Sequence, residues 1–351
     1  MNQNYPQTQY NMNQNNNYPS SSPYMLNLNA NPYLVSKPPK KTTSQIPQIS
    51  LSQNSQTNRI KEVYVDNFIQ EIKNISNYLS KYPYVGMDTE FPGIKFPCPV
   101  ATEDFYYQFT KINVDRLKLI QLGITLTNDK GEYPPYTCTW QFNLRFDYEK
   151  DQHSKESITM LYNSGIDFNL MKNKGIPHSL FAEYLIVSGL VLNENITWIC
   201  FNGSSDFAYL LKYLINDFLP DDEKSFIELI NLYFPNIYDI KHLVNDNETY
   251  KGGLNKLAKE LNVERSGEIH QAGSDSQVTS DVFFRLIWDN IITSADLTTE
   301  KNIIYGIGSG VDAMETINYT QFEQGLDITP LLQTINLGLN FKNNNQTENN
   351  F

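Results

Sequence analysis

The chain has 351 residues, of which 40% are hydrophobic and 19% charged, enough for one large or two small globular domains. No apolar run is long enough to span a bilayer, and Met-Asn-Gln-Asn-Tyr-Pro at the start lacks the pattern of a secretory signal, so no membrane partner is expected. The net charge of −12 lacks the basic footprint usual in proteins that grip nucleic acid through their surface.

Residues 1–60 contain no Asp or Glu and four basic residues, Lys37, Lys40, Lys41 and Arg59, so the acidity belongs to the remainder. Crowded with Asn, Gln, Ser and Pro, this segment cannot bury enough surface to offset its chain entropy and is expected to be disordered. Residues 61–310 are expected to form the folded domain, and 311–351 a short extension ending in a second Asn-rich disordered tail. Asp66 is positioned to cap a helix in which Phe68, Ile72, Ile75 and Leu79 recur at helical spacing. Tyr84–Asp88, Leu117–Leu126 and Thr137–Phe142 read as strands. Ser179–Val191 reads as a helix and Trp198–Phe201 as a short buried strand. Helices are expected at Phe207–Ile215 and Phe226–Phe234, a strand at Ile237–Ile240, and helices at Leu254–Leu261 and Gln277–Ile291. Strands first, then alternation with helices, predict a mixed sheet flanked by helices. The three cysteines, Cys98, Cys138 and Cys200, are scattered and fit no zinc knuckle, which suits reduced thiols in a cytoplasmic or nuclear protein.

Three acidic sites stand where apolar elements end. Asp88 and Glu90 are two apart at the exit of a strand, so both face one side and can converge. Unpaired carboxylates there are costly unless a cation lies between them, although a solvated turn would also account for them. Asp206 opens the amphipathic run 207–215, where an acid is by default a helix cap. Asp275 opens the helix from Gln277, and His270 stands on the glycine-marked loop before it. The other histidines, His153, His178 and His242, have no such neighbourhood and read as surface or packing residues. Taken together, four carboxylates from three elements suit two hard divalent ions. A pair of such ions activates water and stabilises a leaving oxygen in phosphodiester hydrolysis, and an imidazole, which titrates near neutrality, can take the proton.

The order D-x-E, D, H-x-x-x-x-D resembles the DEDDh exonucleases of the RNase H-like (DnaQ-like) superfamily; a Tyr at the position of Gln271 would mark the other subclass. Met87-Asp-Thr-Glu-Phe-Pro-Gly93, Leu117-Lys-Leu-Ile-Gln-Leu-Gly123, Gly131-Glu-Tyr-Pro-Pro135 and Thr139-Trp-Gln-Phe-Asn143 are similar to one family within it, the Caf/Pop deadenylases. So are Phe181-Ala-Glu183, Lys251-Gly-Gly-Leu254, His270-Gln-Ala-Gly-Ser-Asp-Ser276 and Tyr305-Gly-Ile-Gly-Ser-Gly310, all in the family's order. The resemblance implies an α/β fold with a mixed five- to six-stranded sheet and helices on both faces. It implies a poly(A)-specific 3′→5′ exoribonuclease of the Ccr–Not complex, releasing 5′-AMP with two Mg²⁺ or Mn²⁺ ions, for which Zn²⁺ or Co²⁺ can substitute in vitro. Asp88, Glu90, Asp206 and Asp275 would be the metal ligands and His270 the general base. Phe91 would be a platform for a terminal base, or simply core packing. Asp239 also matches a family acid and reads as structural support. Family members often have Phe-His-Ser-Gly-Tyr-Asp where this chain has Phe201-Asn-Gly-Ser-Ser-Asp206, which puts substrate grip or rate in doubt but not the reaction class.

The family implies as partners the poly(A) 3′ ends of RNA, a Ccr–Not scaffold subunit and a second, unrelated nuclease. Delivery by partners would also reconcile an acidic protein with an RNA substrate. Leu26-Asn-Leu-Asn-Ala-Asn-Pro-Tyr33 resembles the short motif that binds the C-terminal domain of cytoplasmic poly(A)-binding protein, through Leu26, Asn27, Asn29, Ala30 and Tyr33. In so Asn-rich a tail the Asn matches also arise by chance. Two other readings are a catalytically weak adaptor, for which the altered loop 202–205 leaves room, and an exonuclease of other specificity, against which the motif string argues.

Overall fold

The computed structural model describes residues 60–98 and 104–308. The expected disordered tails, with the Leu26–Tyr33 motif and the extension from 311, lie outside the described residues, Ile60 excepted. Ile60–Val63 (β1) leads into Phe68–Tyr78 (α1), which buries Phe68, Ile72 and Ile75 at the expected spacing. Asp66 is not its cap. The cap position falls to Asn67, whose side chain closes the preceding turn by accepting the Tyr64 N–H, while Asp66 pairs with Lys174. Next come Tyr84–Glu90 (β2), Phe105–Arg116 (α2), Gln121–Thr127 (β3) and Thr139–Asn143 (β4). Lys155–Asn163 (α3), Phe168–Lys174 (α4), His178–Val187 (α5), Thr197–Cys200 (β5), Ser204–Ile215 (α6) and Glu223–Tyr233 (α7) follow. The domain ends with Ile237–Asp239 (β6), Ile240–Leu243 (α8), Leu254–Glu260 (α9), Ala272–Trp288 (α10) and Ser294–Thr299 (α11).

Several boundaries differ from expectation for identifiable reasons. Leu117–Ile120 is a link and not strand, because the Leu117 N–H closes the end of α2 on Asn113. The helix expected to 191 stops at Val187, where Ser188 caps it and Gly189 turns left-handed at φ +84°. Both α6 and α10 begin earlier than apolar spacing suggests. Their first turns are rich in small and polar residues, Ser204-Ser-Asp206 and Ala272-Gly-Ser-Asp275, and side chains of neighbouring elements satisfy backbone N–H groups at these helix starts, as described below.

The sheet has the order β1-β4-β3-β2-β5-β6. Pairing is antiparallel between β2, β3 and β4, and parallel for β1 with β4, β2 with β5 and β5 with β6. On one face Val85, Met87, Leu122, Ile124, Trp140, Phe142 and Trp198 meet α1, α5, α6 and α7 in the main core. On the other, Ile199 packs with Val278, Val282 and Phe283 of α10 and Leu257 of α9. The expected mixed sheet with helices on both faces is therefore present. A satellite cluster of Ile120, Phe146, Leu161, Phe168 and Met171 supports α3 and α4. β2 lies between an antiparallel and a parallel neighbour, so its carboxyl end beside β5 is the switch in sheet topology at which α/β sheets commonly bind ligands.

Candidate active site

Along β2 the residues Gly86, Asp88 and Glu90 share the face covered by α10. Directly opposite on β3 stand Thr125, Gly123 and Gln121. The helix comes unusually close. A Cβ at Gly86 would lie 1.9 Å from Ser280 Oγ, and one at Gly123 the same 1.9 Å from the Ala272 carbonyl oxygen. Only glycine allows this approach, which brings the first turn of α10, and Asp275 within it, down onto the carboxylates of β2.

That first turn rests on a polar bed rather than an apolar one. Gln121, Gln141 and Asn143 are all buried on the sheet face below it. The amide oxygen of Gln141 accepts the Gly273 N–H at 2.8 Å, and that of Gln121 accepts the Ala272 N–H at 3.3 Å, so two N–H groups that a helix start leaves orphaned are satisfied from the sheet. The Nε2 groups of Gln121 and Gln141 both donate to Gln271 Oε1, and Gln271 in turn donates to the Ser164 carbonyl. Glu62 on β1 closes the network by accepting from Gln141 at 2.9 Å and Asn143 at 2.7 Å.

Asp206 arrives from the opposite layer, in the first turn of α6. Thr89, pointing away from Asp88 and Glu90 on β2, donates its hydroxyl to Asp206 Oδ1. The loop before α6 is pinned by Asp239, which is fully buried and accepts the N–H groups of Asn202 (2.8 Å), Gly203 (3.0 Å), Lys241 (3.0 Å) and Tyr305 (3.1 Å). Asp239 is thus the structural support the sequence suggested. The site straddles the end of β2, with a helix N-terminus aimed at it from each face of the sheet, and both helix dipoles favour negative charge there.

His270 is exposed and holds a left-handed backbone at φ +63°. Its N–H donates to Asp275 Oδ2 at 3.0 Å and its carbonyl accepts from Ser164 Oγ at 2.9 Å. Candidate ligand atoms of Glu90, His270 and Asp275 all lie within 4.8 Å of one another. Asp88 and Asp206 stand outside that trio yet near enough for their charges to act on it. Burial, then the charges of Asp275, Asp206 and Glu90, push the Asp88 carboxyl well above the usual range. Burial followed by Asp275 and Asp206 does the same to Glu90. Burial raises Asp206 to about 6, although the Thr89 hydrogen bond works against it. Four acidic groups that repel one another when ionised, all offering hard oxygen donors, fit divalent cations of the Mg²⁺ and Mn²⁺ type.

The CAF1 family ribonuclease model matches residues 63–183 and 182–283. The chain belongs to the CAF1 ribonuclease family. It is 42% identical over 262 residues to poly(A) ribonuclease pop2 of Schizosaccharomyces pombe, covering 73% of this chain and 77% of that protein. The solved structure of S. pombe Pop2p in its Mg²⁺- and Mn²⁺-bound form is similar with TM-score 0.67 and 41% identity, covering 71% of this chain and 100% of that one. The yeast NOT1 MIF4G domain co-crystallized with CAF1 gives TM-score 0.61 at 30% identity, covering 70% of this chain and 96% of that one.

As a member of the CAF1 family the chain keeps the carboxylate cluster despite its altered loop. Asn202 takes φ +61°, Ser204 is buried with its Oγ 3.0 Å from the Tyr106 hydroxyl, and Asp239 fixes the backbone, so Asp206 is placed without the rings that relatives often carry at 202 and 205. Phe91 is half-buried, with its ring 5.3 Å from that of Tyr209, so it packs on the core and still has an open side. Cys98, Cys138 and Cys200 are buried and form no disulfide with one another. Sequence reading missed Thr89, Arg265, whose Nη1 lies 2.6 Å from Asp275 Oδ1, and the Gln121–Gln141–Gln271 bed. Thr89 sits between Asp88 and Glu90, and a donor between two carboxylates was the available signal; nothing in the sequence pairs Gln141 with Gln271.

Proposed function

We propose that this chain is a 3′→5′ exoribonuclease that shortens poly(A) tails to 5′-AMP using two divalent metal ions. The observation that carries the reading is the meeting of Asp88, Glu90, Asp206 and Asp275 at the end of β2, with His270 beside Glu90 and Asp275. Asp88, Glu90, Asp206 and Asp275 would hold the ions. When bound, the ions would supply an ionised water at neutral pH and neutralise the leaving 3′ oxygen. His270, exposed at the mouth and anchored through its backbone, takes the proton of the attacking water. Its backbone tie to Asp275 couples the position of the base to that of the carboxylate. The open side of Phe91 offers a stacking face to the terminal base. The bond broken is that between the terminal phosphorus and the 3′ oxygen of the preceding nucleotide.

The similarity to poly(A) ribonuclease pop2 supports poly(A) as substrate, and the likeness to CAF1 in complex with NOT1 supports docking on a Ccr–Not scaffold. A second deadenylase subunit, and poly(A)-binding protein held through Leu26, Asn27, Asn29, Ala30 and Tyr33, complete the proposed partners. We place its action in mRNA turnover in the cytoplasm and also the nucleus. The N-terminal motif is testable alone: a peptide spanning residues 20–40 that gives no heat on titration into the peptide-binding domain of poly(A)-binding protein removes it from the scheme.

The decisive assay is a gel time course on 5′-labelled RNA ending in poly(A), with Mg²⁺ or Mn²⁺, comparing wild type, Asp88→Ala and an EDTA control. A shortening ladder that requires metal and Asp88, and stalls at the poly(A) boundary, is the expected result. No shortening in either metal, alone or with the scaffold subunit present, would overturn the reading.

A further inference from the structure

Among the described residues, one arginine is paired with a carboxylate of this cluster. Arg265, on the segment between α9 and α10, has its Nη1 2.6 Å from Asp275 Oδ1, and the two side chains are only 16% and 9% exposed. The other oxygen of Asp275 accepts the His270 N–H, so both oxygens are engaged. Arg265 is also tied elsewhere: Nη1 donates to Ser274 Oγ at 2.9 Å and Nη2 to Asn255 Oδ1 at 2.6 Å. Its charge reaches past Asp275. While burial and three acidic neighbours push the Asp88 carboxyl up, the Arg265 guanidinium draws it down.

A cation fixed on a candidate metal ligand has two consequences. It relieves the mutual repulsion of the carboxylates, and it opposes the entry of any other cation. We propose that Arg265 is the resident counter-cation of the carboxylate site: it pairs with Asp275 until a divalent ion arrives, yields Oδ1 to that ion, and keeps Ser274 and Asn255 as its remaining acceptors. The inference rests on the metal-dependent reading above. Two cations cannot share Asp275 Oδ1 at contact distance, so Arg265 has to move when the ion arrives. Ser274 and Asn255 remain to accept from the guanidinium after it moves, so it stays anchored beside the site. Metal loading is thereby linked to the segment that carries Arg265 and His270, which makes Arg265 a positioning residue for the base as well.

The test uses the full-length protein as wild type, Arg265→Gln, Asp275→Asn and the double variant. Thermal melts are run in EDTA, and Mn²⁺ is titrated calorimetrically into wild type and Arg265→Gln at neutral pH. In EDTA, Arg265→Gln lowers the melting temperature, and the loss is at least halved in the Asp275→Asn background. In the titration, Arg265→Gln binds Mn²⁺ more tightly, by about tenfold, because the ion no longer displaces a fixed charge. A residue that merely supported the loop would lower stability without tightening metal binding. Equal or weaker Mn²⁺ binding by Arg265→Gln, or the same melting loss in both backgrounds, overturns the counter-cation. Wild type that binds no Mn²⁺ at all overturns the metal-dependent reading itself and the competition with it.

Discussion

Thr89 donates its hydroxyl to Asp206 Oδ1 at 2.5 Å, joining the end of β2 to the first turn of α6 across the rim of the sheet. The two carboxylates flanking Thr89 face the opposite layer, so this one hydroxyl ties the two halves of the site together. Thr89→Val keeps the shape and removes the donor. A hydrogen bond to an ionised group is worth about 1.5–3 kcal/mol. At about 2–4 °C per kcal/mol for a domain of this size, the EDTA melting temperature should fall by several degrees. Added Mn²⁺ should recover part of that loss, while single-turnover shortening slows by about tenfold. Unchanged melts and an unchanged rate would show that the contact does not position Asp206.

The raised carboxylates set a pH dependence with a definite sign. Asp206 titrates near 6 in the fold, chiefly through burial, against an ordinary value of 3.8. The folded state therefore holds this proton more tightly than the unfolded chain. Without metal the ionised group destabilises the protein above about 6, and that penalty fades as pH falls towards about 4. A divalent ion held by Asp206 would require the ionised form, so stabilisation by Mn²⁺ should be full above about 6 and shrink below it. Melts with EDTA and with Mn²⁺ between neutrality and about pH 5 should converge as pH falls. Asp206→Asn should flatten the Asp206 contribution to both curves. Parallel curves across the range would refute the assignment.

The site was more legible in the sequence than the scaffold beneath it. Asp88, Glu90, Asp206 and Asp275 stand where apolar elements end, His270 lies on the glycine-marked loop before Asp275, and the family resemblance joins these separate signals into one site. Helix α2 escaped because its buried residues include Thr110 and Asn113 beside Tyr107, Phe109 and Val114, so no clean apolar stripe marks it. The starts of α6 and α10 escaped because their N–H groups are satisfied over long range, from Asp239, Gln121 and Gln141. Asp66 looked like a cap because capping is local chemistry, but Asn67 makes the competing turn contact. Pairings between residues far apart in the chain, such as Glu62 with Asn143 or Gln141 with Gln271, become visible only when the sheet sets their register.

His178 should oppose the carboxylates in its pH behaviour. Its ring stacks on Tyr213 at 4.6 Å, and its Nε2 lies 2.9 Å from the Leu119 carbonyl oxygen. Burial, more than any neighbour, lowers its pKa from 6.5 to about 4. The unfolded chain thus binds the proton more readily, so the stability this residue contributes is complete above about 6.5 and is lost as pH falls towards about 4. His178→Phe keeps a ring beside Tyr213 and removes the titration. At neutral pH the variant should be less stable by about 1 kcal/mol for the lost hydrogen bond. The gap should narrow or reverse in urea unfolding near pH 5. A gap that does not change with pH would mean that His178 is not held neutral.

The close seat of α10 is the feature on which Asp275 and His270 both depend, and Gly123 tests it. A Cβ there would sit 1.9 Å from the Ala272 carbonyl oxygen, a backbone atom that cannot rotate away. Gly123→Ala must therefore push the first turn of α10 off the sheet, at about 1–3 kcal/mol of overpacking. The same shift carries Asp275 and the His270 backbone away from Glu90. Misplacement of about 1 Å can cost about a hundredfold in rate, so activity should fall far more than stability. Gly253→Ala is the matched control, since a Cβ at Gly253 meets nothing within 4 Å and its φ of −89° suits alanine. Melting temperature and single-turnover rate on a poly(A) substrate should separate the two. A Gly123→Ala protein that keeps wild-type rate would show that the helix can back away without moving its carboxylate, and that the glycine serves packing alone.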